Sequence, residues 1–434
     1  MNKEIYARRR ADLVNQIGTN DIVIVSTATV KPRNGDVEYQ FRADSDFYYL
    51  SGFAEPEAVL VISPGRAQGE YILFCREKDV MREMWDGRRI GLDGAMELYG
   101  ANDAFPIEDI DDILPGLMEE KEKLFTTVGR YPDFDAQLLA WMTKIKDDKS
   151  SAKHAPYEFV DLNHLLHEQR LIKRKDEIAL MRKAGKMSAL GHKRAMQVCK
   201  PGMYEYQVQA EMECEFRKAG SAYNAYPSIV AGGHNACILH YTENQDVLNE
   251  GDLLLIDAGA EFGCYASDIS RTFPVNGKFS AEQRVLYDVV LAAQEAAFEK
   301  CSAGHGWNEP HEAAVKVLSQ GLLDEGLLRG SLEQVLETQS YTQFYMHRTG
   351  HWLGMDVHDV GDYQLDEVWR ELEPGMVFTV EPGLYINPAD DVDTRWHHIG
   401  IRIEDNILVR RNGYENLTET APKTADDIEI IMAG

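Results

Sequence analysis

The segment DAGAEFGCYASD, residues 257–268, begins and ends on aspartate and lies between two apolar runs. The preceding run, residues 252–256 (DLLLI), and the following run, residues 269–275 (ISRTFPV), are both typical of buried strands. Glycine takes a positive φ more easily than any other residue. The sequence therefore predicts an antiparallel hairpin whose two-residue loop is Phe262-Gly263.

In that register the two terminal aspartates, Asp257 and Asp268, face each other directly. Opposed residues of an antiparallel pair point to the same face, about 5 Å apart at Cβ, whereas a slip of one residue would place them on opposite faces. Two ionised carboxylates that close repel, unless they share a proton or a cation lies between them. Two interpretations remain open at this point. Either a metal ion binds here, or Arg271 or a nearby lysine neutralises one aspartate.

Composition narrows the class of protein. The chain has 434 residues, of which 44% are hydrophobic and 27% charged, which suggests two or three ordinary globular domains. The net charge of −27 argues against nucleic acid or an anionic membrane as a partner, since both attract basic surfaces. No apolar run is long enough to predict a transmembrane helix, and the N-terminus lacks the apolar core of a secretory signal.

The six cysteines are spread along the chain, and none forms a CxxC pair. This spacing is typical of reduced thiols in the cytosol rather than of a disulfide framework or a thiolate zinc site. We therefore expect a cytoplasmic protein.

The chain is predicted to be α/β (α+β) with two domains, residues 1–171 and 172–434. The first reads as a smaller mixed α/β domain with a helix near residues 137–145 and strand-like runs in DIVIVSTA (21–28), DFYYLSGF (46–53), AVLVIS (58–63) and YILFCR (71–76). The polar residues 145–156 are a candidate inter-domain region.

The second domain begins with a long helix. In residues 174–196, the apolar residues Ile178, Met181, Ala184, Met187 and Leu190 recur with a helical spacing. Long helices and strands alternate after it, and this domain holds all of the chemical motifs.

Polar and ionisable residues of the second domain stand at the ends of apolar runs or inside them. They are His240 in CILHYTEN, His347, His351 and His358 in MHRTGHWLGMDVHD, Glu381 in MVFTVEPGLY, and Arg402 and Glu404 in IGIRIEDNILV. Each has a simpler explanation: a lone histidine is more often a hydrogen-bonded core residue, and Arg402 could pair with Glu404. Buried ionisable groups are costly unless they are paired or bind a metal. One salt bridge does not account for four carboxylates.

The chemistry of these groups favours a particular kind of metal site. Carboxylates with an imidazole and no thiolate suit Mn²⁺, Co²⁺, Fe²⁺ or Zn²⁺ in a binuclear site. Such a site activates water and polarises a carbonyl, which is hydrolytic chemistry.

These residues and their surroundings resemble the pita-bread metallopeptidases, and within them the aminopeptidase P branch. The similar stretches span nearly the whole chain, and the N-terminal one resembles a domain that aminopeptidase P shares with prolidase. They are FRADSDFYYLSGFAEPEAVLV, ILHYTEN, DAGAEFGCYASDISRTFPVNGKFS, HWLGMDVHDVG, EPGMVFTVEPGLYI and GIRIEDNILV. The resemblance implies a pita-bread catalytic domain with an antiparallel sheet and flanking helices.

The resemblance also implies roles for individual residues. The five positions that match its metal ligands are Asp257, Asp268, His351, Glu381 and Glu404. They would hold two divalent metal ions, with Mn²⁺ the metal that the family favours. Glu381 would also act as general base. His240, His347 and His358 match histidines that position substrate and shuttle protons, and Arg402 matches an arginine that orients a ligand.

The activity implied is hydrolysis of the N-terminal Xaa-Pro bond of peptides with proline second, by a homodimer or homotetramer. Prolidase, which cleaves Xaa-Pro dipeptides, would use the same metal ligands, so the ligands do not separate the two activities. Arg348 and Arg370 are candidates for holding the free carboxylate of a dipeptide. A metal-free binding module of the same fold is the alternative from another class, and the five matched ligands argue against it.

Overall fold

The computed structural model describes residues 3–148 and 152–434. The chain divides into two compact units, residues 1–168 and 169–434, whereas the sequence placed the domain boundary between residues 171 and 172. The predicted inter-domain region, residues 145–156, falls within the bounds of the first unit: residues 145–147 end a helix, and a strand begins at residue 158. Its residues 149–151 lie outside the described residues.

The first unit is a mixed sheet with helices. Its strands are β1 (Ile22–Ser26), β2 (Pro32–Asn34), β3 (Val37–Glu38), β4 (Val59–Ile62), β5 (Tyr71–Cys75), β6 (Asp103–Pro106), β7 (Lys123–Thr126) and β8 (Glu158–Asp161). Its helices are α1 (Lys3–Val14), α2 (Ser45–Ser51), α3 (Val80–Asp86), α4 (Gly91–Tyr99), α5 (Ile110–Met118) and α6 (Pro132–Asp147), and α7 (Asn163–Leu171) follows β8 across the division.

The six-stranded sheet has the order β6-β5-β4-β1-β7-β8. The central pairs β1–β4 and β4–β5 are antiparallel, and the outer pairs are parallel. Three of the four predicted strands, in β1, β4 and β5, are strands in the structure.

The fourth predicted strand, DFYYLSGF, was wrong, because these residues form helix α2. The Asp44 side chain accepts hydrogen bonds from the backbone N–H groups of Asp46 and Phe47, which caps the first turn. Gly52 ends the helix at φ 69°, in the left-handed region. All of the residues from Ser45 to Ser51 are buried, so the helix lacks the polar face that would have distinguished it from a buried strand.

The second unit holds small antiparallel sheets and long helices. Its helices are α8 (Lys175–Val198), α9 (Glu205–Ala219), α10 (Ala281–Phe298), α11 (Glu309–Asp324), α12 (Leu332–Thr338) and α13 (Ala425–Ala433). Its strands are β9 (Tyr223–Asn224), β10 (Ile229–Gly232), β11 (Leu253–Asp257), β12 (Ala260–Phe262), β13 (Tyr265–Ala266), β14 (Ser270–Pro274), β15 (Gln364–Leu365), β16 (Val368–Trp369), β17 (Val377–Val380), β18 (Gly383–Ile386), β19 (Ile399–Arg402), β20 (Asp405–Val409) and β21 (Tyr414–Asn416).

Helix α8 confirms the predicted long helix but not its whole apolar face. Ile178, Met181 and Met187 are buried, whereas Leu190 is 54% exposed. A spacing of three residues falls about 60° short of a full turn at each step, so the apolar series rotates away from the core. Ser188 and His192 continue the buried face instead.

The predicted hairpin is present, with its loop one residue further along. Glu261 pairs with Ala266 and Phe262 with Tyr265, so the loop is Gly263-Cys264. Both loop residues have positive φ, 61° and 65°, as a two-residue turn of type I′ requires.

The shifted loop gives Asp257 a different partner across the hairpin, but Asp257 and Asp268 still lie on the same face. Asp257 pairs with Ser270 rather than with Asp268. Pairing shifted by two positions preserves the alternation of faces, and the Tyr226 hydroxyl contacts both aspartates.

The strands that carry the two glutamates are also interrupted. β17 ends at Val380 and β18 begins at Gly383, so Glu381 lies in the break between them. β19 ends at Arg402 and β20 begins at Asp405, so Glu404 lies in a second break. Both glutamates therefore lie between consecutive strands, where the regular backbone hydrogen bonding is interrupted and a side chain can point into a cleft. None of the helices within the described residues is long and apolar enough to cross a membrane.

Candidate metal centre

A cleft of about 790 Å³ opens in the second unit. Among the residues that line it are all nine of the site residues predicted from sequence, namely Asp257, Asp268, His351, Glu381, Glu404, His240, His347, His358 and Arg402. The structure therefore brings together side chains that are separated by up to about 160 residues of sequence.

Three of the ligand candidates meet closely enough to share one cation. Asp268, His351 and Glu404 each offer a ligand atom, and these atoms lie within 4.8 Å of one another. His351 Nε2 is 3.4 Å from Asp268 Oδ2 and 3.6 Å from Glu381 Oε1. The opposite nitrogen, Nδ1, lies 2.9 Å from the Trp352 carbonyl oxygen and donates to it. This bond aims Nε2 at the carboxylates, as the outer hydrogen bond of a metal-binding histidine does.

Glu404 provides the test of whether a cation fits. Its side chain is fully buried, and Oε2 accepts a hydrogen bond of 2.8 Å from the Ser270 hydroxyl. The other oxygen, Oε1, is buried and accepts no hydrogen bond from the described residues. A buried carboxylate oxygen without a donor is costly, and a divalent cation would satisfy it. The donor set of carboxylates and one imidazole fits the predicted metals.

Asp257 is the carboxylate of the cluster that pairs with an arginine. Arg402 Nη2 donates to its Oδ2 at 2.7 Å, and the Tyr226 hydroxyl lies 2.6 Å from its Oδ1. Burial raises the pKa of Asp257, but the Arg402 charge and the Tyr226 hydrogen bond outweigh it, and the net pKa is lowered. Arg402 therefore pairs with Asp257 rather than with Glu404. An arginine does neutralise one aspartate of the hairpin, but Arg402 does so and not Arg271, which pairs with Asp405.

The remaining acidic groups repel one another in the absence of a cation. Burial, followed by the charge of Asp268, raises the pKa of Glu404 well above its usual range. Burial and the charge of Asp257 raise the pKa of Asp268. Burial raises the pKa of Glu381 to about 7, against the opposing effect of His351.

The pKa of His351 is raised by the same carboxylates, which favour its protonated form. Burial lowers its pKa, but the hydrogen bond to Asp268 and the charge of Glu381 bring it to about 9. The cluster thus attracts positive charge, whether as protons or as metal ions.

Glu381 is oriented by two threonines. The Thr379 hydroxyl donates to Glu381 Oε1 at 3.2 Å, and the Glu381 backbone N–H donates to the Thr349 carbonyl at 2.8 Å. The carboxylate is therefore fixed beside His351 and Asp268.

His347 belongs to a chain of hydrogen bonds that begins at Arg402. Arg402 Nη1 donates to the Tyr385 hydroxyl at 2.9 Å, and that hydroxyl lies 2.8 Å from His347 Nε2. His347 Nδ1 lies 2.8 Å from the Arg348 carbonyl and donates to it, so Nε2 accepts from Tyr385. Burial and the Arg402 charge lower the pKa of His347 to about 4. The imidazole is therefore neutral, and it presents a ring rather than a charge to the cleft.

His358 and His240 are exposed to the cleft. The His358 ring packs edge-on against the ring of His351, with 4.4 Å between centroids. Burial and the neighbouring His351 lower its pKa. A neutral imidazole at this position can accept or donate a proton beside the cluster.

Sequence reasoning missed Tyr226 and Ser270. Tyr226 is partly buried, and its hydroxyl contacts both Asp257 and Asp268. It lies in AYPSIV, where no charge, spacing or periodicity distinguishes it from a packing tyrosine. Ser270 was predicted as part of a strand, but its hydroxyl joins Arg402 Nε, at 2.9 Å, to Glu404.

Comparison with known proteins gives a consistent result. Residues 179–411 match the model of metallopeptidase family M24, and residues 6–125 match the N-terminal domain of aminopeptidase P. The Xaa-Pro aminopeptidase of Haemophilus influenzae is 43% identical over 99% of this chain and 97% of its own. The Xaa-Pro aminopeptidase of Escherichia coli is 41% identical over 100% of this chain and 98% of its own.

A solved aminopeptidase structure from Pseudomonas aeruginosa superposes with a TM-score of 0.99 at 54% identity, covering 100% of this chain and 98% of that one. Similarity of this extent covers both units and the whole of the cleft. The chain therefore belongs to metallopeptidase family M24 and, within it, to the Xaa-Pro aminopeptidases.

Proposed function

We propose that this protein removes the first residue from peptides whose second residue is proline, by metal-dependent hydrolysis. The observation that carries the proposal is the excess of buried carboxylate in the cleft, above all the Glu404 oxygen that no described donor satisfies. The family supplies the reaction class, and its related enzymes are Xaa-Pro aminopeptidases.

We propose that two divalent ions are held by Asp257, Asp268, His351, Glu381 and Glu404, with Mn²⁺ as the native metal. When bound, such ions polarise the scissile carbonyl and lower the pKa of water. Arg402 and Tyr226 fix Asp257 in place through bonds of 2.7 and 2.6 Å. The preference for Mn²⁺ is tested by adding single metals to stripped protein and comparing the recovered activity.

Glu381 and His358 are the proposed proton carriers. A general base works best when its pKa lies near the working pH, and burial raises the pKa of Glu381 to about 7. His358 lies against the His351 ring at the edge of the cluster, where it can stabilise or protonate the reacting amide. His240, on the same cleft, is proposed to hold the substrate.

Proline recognition depends on shape. The Xaa-Pro bond is a tertiary amide without an N–H group, so an enzyme must recognise the ring. The cleft offers apolar and uncharged walls for this purpose in Ile229, Leu239 and the neutral His347.

The two arginines considered for holding a dipeptide carboxylate differ in position. Arg370 is 8% exposed and lies 4.0 Å from the Glu373 carboxylate. Arg348 lines the cleft, with its guanidinium carbon 5.0 Å from the centre of the Trp369 ring. An arginine at the position of Arg348 is compatible with either substrate length, and the family relationship favours the aminopeptidase.

The test is the ratio of kcat/KM for an Xaa-Pro-Yaa tripeptide and the matching Xaa-Pro dipeptide. We expect the tripeptide to be preferred. A dipeptide preference of tenfold or more, about 1.4 kcal/mol of transition-state stabilisation, would instead identify a dipeptidase.

The assembly and location of the protein are further proposals. A homodimer or homotetramer is expected from the aminopeptidase P pattern, and a light-scattering mass near 49.1 kDa at micromolar concentration would contradict it. A cytoplasmic location is supported by the cysteines, since all six are free thiols and four are buried. Cell fractionation tests this location.

A further inference from the structure

The hairpin that carries Asp257 and Asp268 loses its regular ladder just beyond Asp257. Ala258 N–H still donates to the Ile269 carbonyl at 3.1 Å, and Ser267 N–H donates to the Ala260 carbonyl at 3.1 Å. Between these bonds Gly259 approaches the opposite strand so closely that a Cβ there would lie 1.6 Å from the Ser267 carbonyl oxygen. The distortion turns the Ala258 carbonyl and the Ala260 N–H away from the partner strand.

Two side chains of helix α8 form hydrogen bonds with these backbone groups. His192 Nε2 lies 2.9 Å from the Ala258 carbonyl oxygen, and the Ala260 N–H donates to the Ser188 hydroxyl at 2.8 Å. Ser188 and His192 are four residues apart, so they lie on one face of the helix. Both side chains are fully buried.

The protonation of His192 follows from its surroundings. A carbonyl oxygen only accepts, so Nε2 carries the proton. Burial lowers the pKa of His192 to about 4, and Nδ1 makes no hydrogen bond within the described residues. His192 is thus a neutral donor held in one tautomer for a single contact with the peptide that follows Asp257.

We propose that Ser188 and His192 are positioning residues of the metal centre, which hold the distorted hairpin so that Asp257 and Asp268 keep the separation that two cations require. The proposal rests on the proposed function only in taking these aspartates as metal ligands. Neither side chain touches the reacting groups. Without them, two backbone polar groups beside the ligands would be buried and unsatisfied, and the hairpin would relax toward a regular ladder.

The experiment compares His192→Leu, which removes the donor, with His192→Gln, which keeps an N–H donor. Ser188→Ala is the second and milder variant, available if His192→Leu does not fold. Met212→Ala, at a fully buried position on α9 in the same core cluster, is the control that destabilises this core but removes neither hydrogen bond from α8 to the hairpin. For each protein, Mn²⁺ affinity is measured by competition with a chelating dye, alongside thermal unfolding of the metal-free form, kcat and KM.

We expect His192→Leu to weaken Mn²⁺ binding by about 10–100-fold, the effect typical of residues that support metal ligands. Ser188→Ala should weaken it by less, and His192→Gln should restore most of the affinity. KM for an Xaa-Pro-Yaa peptide at saturating Mn²⁺ should stay near the parent value. Met212→Ala should lower the unfolding temperature and leave Mn²⁺ affinity unchanged.

Equal Mn²⁺ affinity in His192→Leu and the parent, or equal losses in His192→Leu and Met212→Ala, would overturn the proposal and leave a purely structural role. The affinity measurement does not depend on peptide hydrolysis. A protein that binds Mn²⁺ as expected but fails to cleave Xaa-Pro peptides would contradict the proposed function alone.

Discussion

Glu404 and Asp405 are adjacent in the sequence and fully buried, but their surroundings are opposite. Asp405 is bound by Arg271 Nη2 and by Lys423 Nζ, each at 2.8 Å. Burial raises the pKa of Asp405, but the two cations outweigh it and the net pKa is lowered. Glu404 has only the Ser270 hydroxyl as a donor within the described residues, and its pKa is raised.

The two carboxylates differ in whether nearby cationic side chains balance their charge. Around Asp405 two cations match one carboxylate, and Asp359 is likewise matched by Lys173 at 2.9 Å and Arg170 at 2.6 Å. Around Glu404, four carboxylates share one arginine and one histidine. Burial alone does not identify a metal site, because both clusters are buried. What distinguishes the cluster around Glu404 is its excess of carboxylates over cationic side chains.

Removing one ligand should have the largest effect. Asp268→Asn keeps the size of the side chain and removes a charge that faces His351 at 3.4 Å. Bound metal contributes several kcal/mol of transition-state stabilisation, so activity should fall by on the order of 10³-fold or more. Metal content measured by mass spectrometry should fall with it, while circular dichroism stays unchanged. Parent-like activity would remove Asp268 from the ligand set.

Removing a proton carrier should have a smaller effect. His358→Ala should lower kcat by about 10²–10⁴-fold, the usual contribution of a positioned acid or base. Its metal content should equal that of the parent, which distinguishes it from Asp268→Asn. Near-normal turnover in His358→Ala would show that His358 has a structural role and is not a proton carrier.

Replacing one carboxylate by an amide should change the stability of the metal-free protein in opposite directions for the two clusters. Asp405→Asn leaves Arg271 buried without its partner and should cost about 3–5 kcal/mol of unfolding free energy. Asp268→Asn relieves repulsion among buried carboxylates and should stabilise the metal-free protein. Urea unfolding in the presence of a chelator measures both. Equal losses in the two variants would show that the carboxylates of the metal cluster are already compensated.

The pH dependence of metal binding should show the smallest effect. In metal-free protein the pKa of Glu381 is raised to about 7 and that of His351 to about 9. Both groups bind metal only after losing a proton, so Mn²⁺ affinity should rise with pH across this interval. Calorimetric titrations in two buffers of different ionisation enthalpy would detect the released protons. An affinity independent of pH would contradict the assignment of these groups as ligands.

Sequence reasoning predicted which residues share the cleft better than it predicted the geometry of the hairpin. The alternation of faces along a strand is independent of where the loop lies, provided that the shift is even. Asp257 and Asp268 were therefore placed on one face although the loop is Gly263-Cys264 rather than Phe262-Gly263. The turn itself depends on the positive φ of Cys264, 65°, and cysteine gives no sequence signal for that conformation.

Contacts between distant segments account for what the sequence did not predict. Tyr226 reaches Asp268 across 42 residues, and no local pattern marks it. His192 lies in a helix that the sequence predicted, but its partner is a hairpin 66 residues away, and no local pattern marks that contact. Helix α2 was read as a strand because it is buried on every side, and its boundaries depend on Asp44 and Gly52.

The unmatched carboxylates of the cleft are proposed to bind catalytic metal. The most direct measurement is the hydrolysis of an Xaa-Pro-Yaa peptide by protein stripped with a chelator and dialysed, before and after Mn²⁺ is added. We expect no turnover in the stripped protein and full recovery as Mn²⁺ binds at two ions per chain. Undiminished turnover in protein shown to be free of metal would contradict it.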